Sequence, residues 1–242
     1  MNKVAIITGA SKGIGAKISK QLSRLGISII INYRSNAKEA EEVVKSIIFE
    51  GNNAVAIQAD ISKLDELEKL FKETIEIYGR VDILINNAGL MINNSIFDVT
   101  EEEFDKQLSV NVKGTFFACQ QAMKHMKDNG RIINFSTSVT SAMFPSYSVY
   151  AASKGAVEQI TRQLAKEFGP RGITINAIAP GPVKTELFMQ GKSQQQIDTL
   201  RSMNAFGRLG ETQDIADVLE LLVSDKASWI TGQTIKVNGG FI

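Results

Sequence analysis

The chain has 242 residues, with 27 lysines and arginines against 26 aspartates and glutamates, and 43% of its residues are apolar. That balance argues against nucleic acid as a partner, since phosphate binding favours a basic excess or stripe, and the apolar residues fall in short runs, so no membrane span is expected. The opening Met-Asn-Lys-Val-Ala-Ile-Ile enters a strand-like run at once and leaves no room for a signal series, which predicts a cytoplasmic protein.

Short β-branched runs alternate with segments of helical period, the pattern of parallel strands joined by crossover helices in one α/β domain over residues 1–242. The first predicted strand, Val4–Thr8, runs into Thr8-Gly9-Ala10-Ser11-Lys12-Gly13-Ile14-Gly15 and then a stripe of Ile14, Ile18, Leu22 and Leu25. Glycines here let backbone amides at a helix start approach a pyrophosphate. The spacing Gly-x-x-x-Gly-x-Gly departs from the commonest dinucleotide fingerprint, and taken alone it serves equally as an ordinary strand-to-helix connection. The second strand, Ser28–Tyr33, leads to Tyr33 and Arg34 with no carboxylate to accept from free ribose hydroxyls. Arg34 and Lys12 suit a 2′-phosphate instead, so NADP(H) is expected in preference to NAD(H); the alternative is two solvated surface charges. Beyond the third strand, Ala54–Gln58, Asp60 is either an acceptor for an adenine amino group or the N-cap of a short turn.

A stripe of Leu64, Leu67, Leu70 and Phe71 leads to the fourth strand, Ile83–Asn86, and then to Asn87, Ala88 and Gly89. The lone Cys119 sits among apolar residues and reads as a buried small hydrophobe, while His125, also alone, reads as a solvated helix-end residue with no metal-ligand companions. No metal site is expected. After the fifth strand, Ile132–Ser136, comes Tyr150-Ala-Ala-Ser-Lys154, with phenol and ammonium one helical turn apart on one face. A nearby cation favours the phenolate and lowers a tyrosine pKa, as a general acid requires; the plainer alternative is an amphipathic tyrosine beside a snorkelling lysine. The sixth strand, Thr174–Ile178, is followed by residues 181–210, which break the strand–helix rhythm and are expected to form a flap containing a short helix. Thr234–Val237 is the seventh strand.

Taken together, Thr8-Gly-Ala-Ser-Lys-Gly-Ile-Gly15, Asn86-Asn-Ala-Gly89, Asn111, Ser138, Tyr150-x-x-x-Lys154, Pro180-Gly-Pro-Val-Lys-Thr185 and Asn238-Gly-Gly240 resemble the short-chain dehydrogenase/reductase family over nearly the whole chain. Thr185-Glu-Leu-Phe188, Gly191-Lys-Ser193, Arg208-Leu-Gly-Glu-Thr212 and Trp229-Ile-Thr-Gly-Gln233 make it most similar to an NADPH-dependent aldehyde reductase-like branch. The resemblance implies a Rossmann fold with a doubly wound seven-stranded parallel sheet, helices on both faces and a substrate flap after the sixth strand. It implies a cofactor site of Gly9, Ser11, Lys12, Gly13, Ile14, Gly15, Tyr33, Arg34, Asp60, Ile61, Asn87, Ala88, Gly89, Tyr150, Lys154, Pro180, Gly181, Val183 and Thr185. Thr185 would hook the flap over the cofactor.

The same resemblance implies catalysis by Asn111, Ser138, Tyr150 and Lys154. Lys154 would hydrogen-bond the nicotinamide ribose and acidify Tyr150, and Asn111 would hold a water linking Lys154 to solvent; from its sequence setting alone Asn111 is an exposed mid-helix polar residue. In the usual family spacing the serine stands where this chain has Thr137. Ser138 is preferred because Val139 follows it as in the family pattern, with Thr137 the main alternative. The expected reaction is reduction of an aldehyde or ketone by NADPH, with Tyr150 as proton donor and a mainly apolar wall of Met91, Ile92, Phe144, Tyr147, Leu187, Phe188 and Met189. A 3-oxoacyl group on acyl carrier protein is the main alternative substrate; Arg171 suits docking of the carrier and Asp128 opposes it. The contrasting class is a catalytically silent NADP(H)-binding sensor or scaffold. The resemblance further implies a homotetramer, with dimer second, built on helices Glu101–Lys127 and Tyr150–Phe168.

Overall fold

The computed structural model describes residues 2–242. Its strands are β1 (Val4–Ile7), β2 (Ser28–Tyr33), β3 (Ala54–Gln58), β4 (Ile83–Asn86), β5 (Arg131–Phe135), β6 (Thr174–Pro180) and β7 (Thr234–Val237). All pair in parallel, in the order β3-β2-β1-β4-β5-β6-β7. The chain thus winds outward from β1 in one direction, then returns and winds outward from β4 in the other. A crevice opens at such a reversal, beyond the carboxyl ends of the strands.

The apolar runs divide between the two faces with the period of two that a pleated strand imposes. Ala5, Ile7, Ile29, Ile31, Ile83 and Ile85 pack beneath α1 (Gly13–Ser23), α2 (Ala37–Phe49) and a later helix, Thr212–Val223. Val4, Ile6, Ile30 and Leu84 point the other way, onto Leu67, Leu70 and Phe71 of α3 (Leu64–Tyr78). Because both faces are covered, these strands carry no polar alternation, as parallel sheets require. Leu25 and Leu64, at the ends of the two predicted stripes, are exposed instead.

Several boundaries differ from expectation. Thr8 lies in the turn after β1, β5 sits one residue earlier than predicted, and β6 runs on to Pro180. The expected helix Glu101–Lys127 is three pieces: α4 (Glu101–Leu108), a π-helical segment Ser109–Gly114, and α5 (Thr115–His125). At Gly114 a Cβ would lie 2.9 Å from Ile61 Cδ1, so this segment presses onto the loop after β3. Helix α6 spans Ser148–Phe168, and the flap holds two short helices, α7 (Glu186–Met189) and α8 (Gln194–Ser202), before α9 (Thr212–Val223). No described helix is long and apolar enough to cross a membrane. Cys119 is buried on α5, where loss of water pushes its thiol up to about 12, and His125 is exposed at that helix's last turn.

Leu70 is fully buried, whereas Leu25 is half exposed. Leu70→Ala is expected to lower the unfolding free energy by about 2–5 kcal/mol through lost contact and a residual cavity, and Leu25→Ala by under about 1 kcal/mol. Parallel urea denaturation of both variants measures the difference.

Candidate active site

The crevice at the strand reversal has a volume of ≈ 660 Å³. One rim is the glycine turn. Gly9 takes φ +60, and a Cβ there would lie 2.9 Å from Ala88 Cα. At Gly15 it would lie 2.6 Å from Asn87 Nδ2 and 2.7 Å from the Gly9 carbonyl oxygen. These glycines let three segments converge. Asn87 Nδ2 donates to the carbonyls of Thr8 and Gly9, at 2.9 Å each, and the Ala88 amide donates to Thr8 Oγ1 at 3.0 Å. Asn32 completes the frame from β2: it accepts from the Gly9 amide and donates to the Ile57 and Ala59 carbonyls at the end of β3. Asn32 was not among the expected site residues, although a lone Asn inside a buried apolar run is a legible signal.

Of the expected cofactor residues, Gly9, Ser11, Lys12, Gly13, Ile14, Tyr33, Arg34, Asp60, Ile61, Asn87, Ala88, Gly89, Tyr150, Lys154, Pro180, Gly181, Val183 and Thr185 all line the crevice. Gly15 stands behind the lining as a packing residue. A dinucleotide fits this set. The first turn of α1 presents amides that have no partner within the helix, at the positive end of its dipole, the glycines leave no side chain in their way, and the end of β2 offers a guanidinium. The two cations differ, however. Arg34 is exposed and forms no ion pair among the described residues, but Lys12 Nζ lies 2.8 Å from Glu186 Oε2 of α7, so it ties the flap to the glycine turn. Thr185 caps α7 by accepting from the Phe188 amide at 3.2 Å. Asp60 Oδ1 accepts from Ser62 N and Oγ, so Asp60 is the cap of a turn as well as a crevice residue.

Helix α6 brings Tyr150 and Lys154 to the crevice on one face. Thr137 lines the same wall as Tyr150, and its hydroxyl acts to lower the pKa of the phenol. Ser138 lines the crevice as well, and its Oγ donates to the Ala179 carbonyl at 3.1 Å and accepts from Asn238 Nδ2 at 3.1 Å. Both hydroxyls are thus at the crevice, and the local backbone gives them different partners. Thr137 is the last extended residue, with φ −160 and ψ 150, whereas Ser138 begins a 3₁₀ turn that swings its side chain toward β6. Glu158, one turn beyond Lys154, accepts from Ser136 Oγ at 2.6 Å and Thr140 Oγ1 at 2.8 Å, and so holds the loop on both sides of Thr137.

Asn111 lies in the π-helical segment and is fully buried, not exposed as its sequence setting alone would have it. Its amide exchanges two hydrogen bonds with the backbone of Leu90, each 2.8 Å, and donates to Ser153 Oγ at 3.0 Å. It stands just behind the crevice lining. Met91, Phe144, Tyr147, Leu187 and Phe188 of the expected apolar wall face the crevice; Ile92 and Met189 do not, while Leu200 and Phe241 do.

Burial pushes the Tyr150 phenol up to about 12, and the Thr137 hydrogen bond offsets this only in part. Lys154 Nζ donates to the Phe135 carbonyl at 2.7 Å. Burial also pushes Lys154 down from 10.5 to about 8. Below pH 8 the ammonium is charged in both folded and unfolded chains, so its burial penalty, on the order of 3 kcal/mol, is fully present. The penalty fades as pH rises from 8 to 10.5, where only the unfolded chain keeps the proton. Lys154→Met is therefore expected to raise the melting temperature, more at pH 7 than at pH 10, in paired thermal scans.

The family model described as enoyl-(acyl carrier protein) reductase matches residues 9–242. An uncharacterized oxidoreductase of Methylorubrum extorquens is 40% identical over 240 residues, covering 98% of this chain and 97% of that protein. A versicolorin reductase of Emericella nidulans is 38% identical over 250 residues, covering 98% and 95%. Among solved structures, a short-chain dehydrogenase from Burkholderia cenocepacia in complex with NADP superimposes with TM-score 0.94 at 34% identity, covering 99% of this chain and 97% of that one. With the glycine turn, the Tyr150–Lys154 pair and the sheet order in agreement, the chain belongs to the short-chain dehydrogenase/reductase family of oxidoreductases.

Proposed function

We propose that this oxidoreductase reduces the carbonyl of an aldehyde or ketone at the expense of NADPH, and runs the reverse reaction with an alcohol. The observation that carries the reading is that Tyr150 and Thr137 share the crevice wall, with the buried ammonium of Lys154 one helical turn on from Tyr150. When bound, the cofactor supplies the hydride. Tyr150, neutral at pH 7, then delivers its proton to the carbonyl oxygen. Thr137 donates to that oxygen, and this bond strengthens as charge builds in the transition state. Lys154 supplies positive charge beside the donor, and Asn111 fixes the Leu90 backbone behind it. Phe144, Tyr147, Leu187 and Phe188 keep water from the oxygen.

Ketone reduction is in keeping with the versicolorin reductase relative. Against the carrier-protein alternative we weigh the engagement of Arg171 within the chain. Its Nε pairs with Asp128 at 2.8 Å, and its other nitrogens donate to the Met123 and Met126 carbonyls at the end of α5. NADP(H) preference rests on Arg34, with support from the NADP held by the Burkholderia neighbour. We also infer a cytoplasmic homotetramer, with a dimer as second choice, supported by the exposed Phe104 and Phe116 on α4 and α5. Val157, by contrast, is fully buried within one chain and offers nothing to a partner.

Tyr150→Phe is expected to lower kcat for ketone reduction by about 10²–10⁴-fold. Thr137→Val should cost on the order of 10²-fold, with Ser138→Ala clearly milder. NADPH oxidation across an aldehyde and ketone panel reads all three, and wild-type rates in Tyr150→Phe refute the assignment. Arg34→Glu should raise the KM for NADPH roughly tenfold or more while leaving or improving that for NADH. Equal effects on both cofactors would remove Arg34 from phosphate recognition.

A further inference from the structure

Phe241 forms a part of the crevice that no motif announced. It is only 6% exposed, and its ring stacks on that of Phe144 with centres 6.0 Å apart and planes 28° from parallel. Phe144 meets Tyr147 at 5.8 Å, and Tyr147 meets Tyr150 edge-on at 6.4 Å. Four rings therefore run without a break from the closing segment of the chain to the proton donor, and all four line the crevice.

The position of Phe241 is fixed by polar contacts. Asn238 Nδ2 donates to Ser138 Oγ at 3.1 Å and to the Ile242 carbonyl at 3.2 Å, while its Oδ1 accepts from the Gly240 amide at 3.1 Å. The Asn238 carbonyl accepts from Asn204 Nδ2 of the flap at 2.8 Å and from the Phe241 amide at 3.2 Å. Gly239 and Gly240 take φ +60 and +73, so the turn that aims the ring requires both glycines. One asparagine thus joins the ring, the flap and the loop that carries Thr137.

A row of fixed rings favours one shape of guest. The rings are tilted to one another by 28°, 52° and 67°, so a planar ring system stacks on one of them, meets the next by its edge and has no internal rotors to lose, whereas a linear chain gains contact area and gives up rotamer freedom. We propose that Phe241, with Phe144 and Tyr147, is the specificity-determining wall of this site, selecting carbonyls on or beside a planar fused ring over linear ones. The proposal rests on the carbonyl reductase reading for its reaction, but not for its binding preference.

The test uses the full chain with NADPH, comparing Phe241→Leu, Phe241→Ala and Phe241→Tyr with wild type. Turnover is measured as kcat/KM for 1-tetralone and for 2-octanone, and binding by calorimetry with 2-naphthol, which is not reduced. The Leu and Ala variants are expected to lose roughly three- to tenfold in 2-naphthol affinity and in the 1-tetralone to 2-octanone ratio, and Phe241→Tyr to keep both. The Leu variant separates the ring from mere bulk. Unchanged 2-naphthol affinity in the Leu and Ala variants, or an equal fall for the two ketones, overturns the wall. If wild type reduces neither ketone while 2-naphthol affinity still follows the ring at position 241, the reductase reading fails and the wall stands.

Discussion

One side-chain amide, that of Asn87, donates to two consecutive carbonyls of the glycine turn, those of Thr8 and Gly9. The crevice depends on this contact, because β1 and β4 lead into opposite halves of the sheet and the chain leaving each must be held at the other. The contact in turn demands glycine at position 15, where any side chain would collide with the same amide. Asn32 extends the frame to β2 and β3. The strand ends, where a parallel sheet runs out of backbone partners, are thus bound to one another through side chains and leave the amides of the first turn of α1 for a ligand.

The sheet was legible because strands buried on both faces must be nearly all apolar, and Ile29-Ile30-Ile31 and Ile83-Leu84-Ile85 leave little else to read. The Tyr150–Lys154 pair was legible because helical spacing fixes which residues share a face. What was hidden depends on where an element stops. Thr137 and Ser138 are chemically alike and both line the crevice, and only the onset of the 3₁₀ turn gives them different partners. The π-helical segment around Asn111 was likewise hidden, and its close approach at Gly114 to Ile61 joins residues far apart in sequence. The capture of Lys12 by Glu186 and of Arg171 by Asp128 are tertiary pairings that a list of charges does not disclose.

Burial works in opposite directions on the two central groups. It raises the phenol and lowers the ammonium, in each case because a charge is unfavourable away from water. The result is a proton held firmly by Tyr150 beside a lysine that sits near its titration point. The surrounding contacts, Lys154 to the Phe135 carbonyl and Glu158 to Ser136 and Thr140, hold the two groups in register. Local stability is given up at these positions, and the apolar layers on both faces of the sheet supply the compensation.

Tyr33 and Arg34 directly follow Asn32 and take part in the joint there only through their backbone carbonyls, which accept from the Ala59 amide and from Gln58 Nε2. The joint that sets the width of the groove therefore uses no side-chain hydrogen bond of Tyr33 or Arg34. Those two side chains can be exchanged while the strand ends stay tied, which makes this corner of the molecule an easy one to retune.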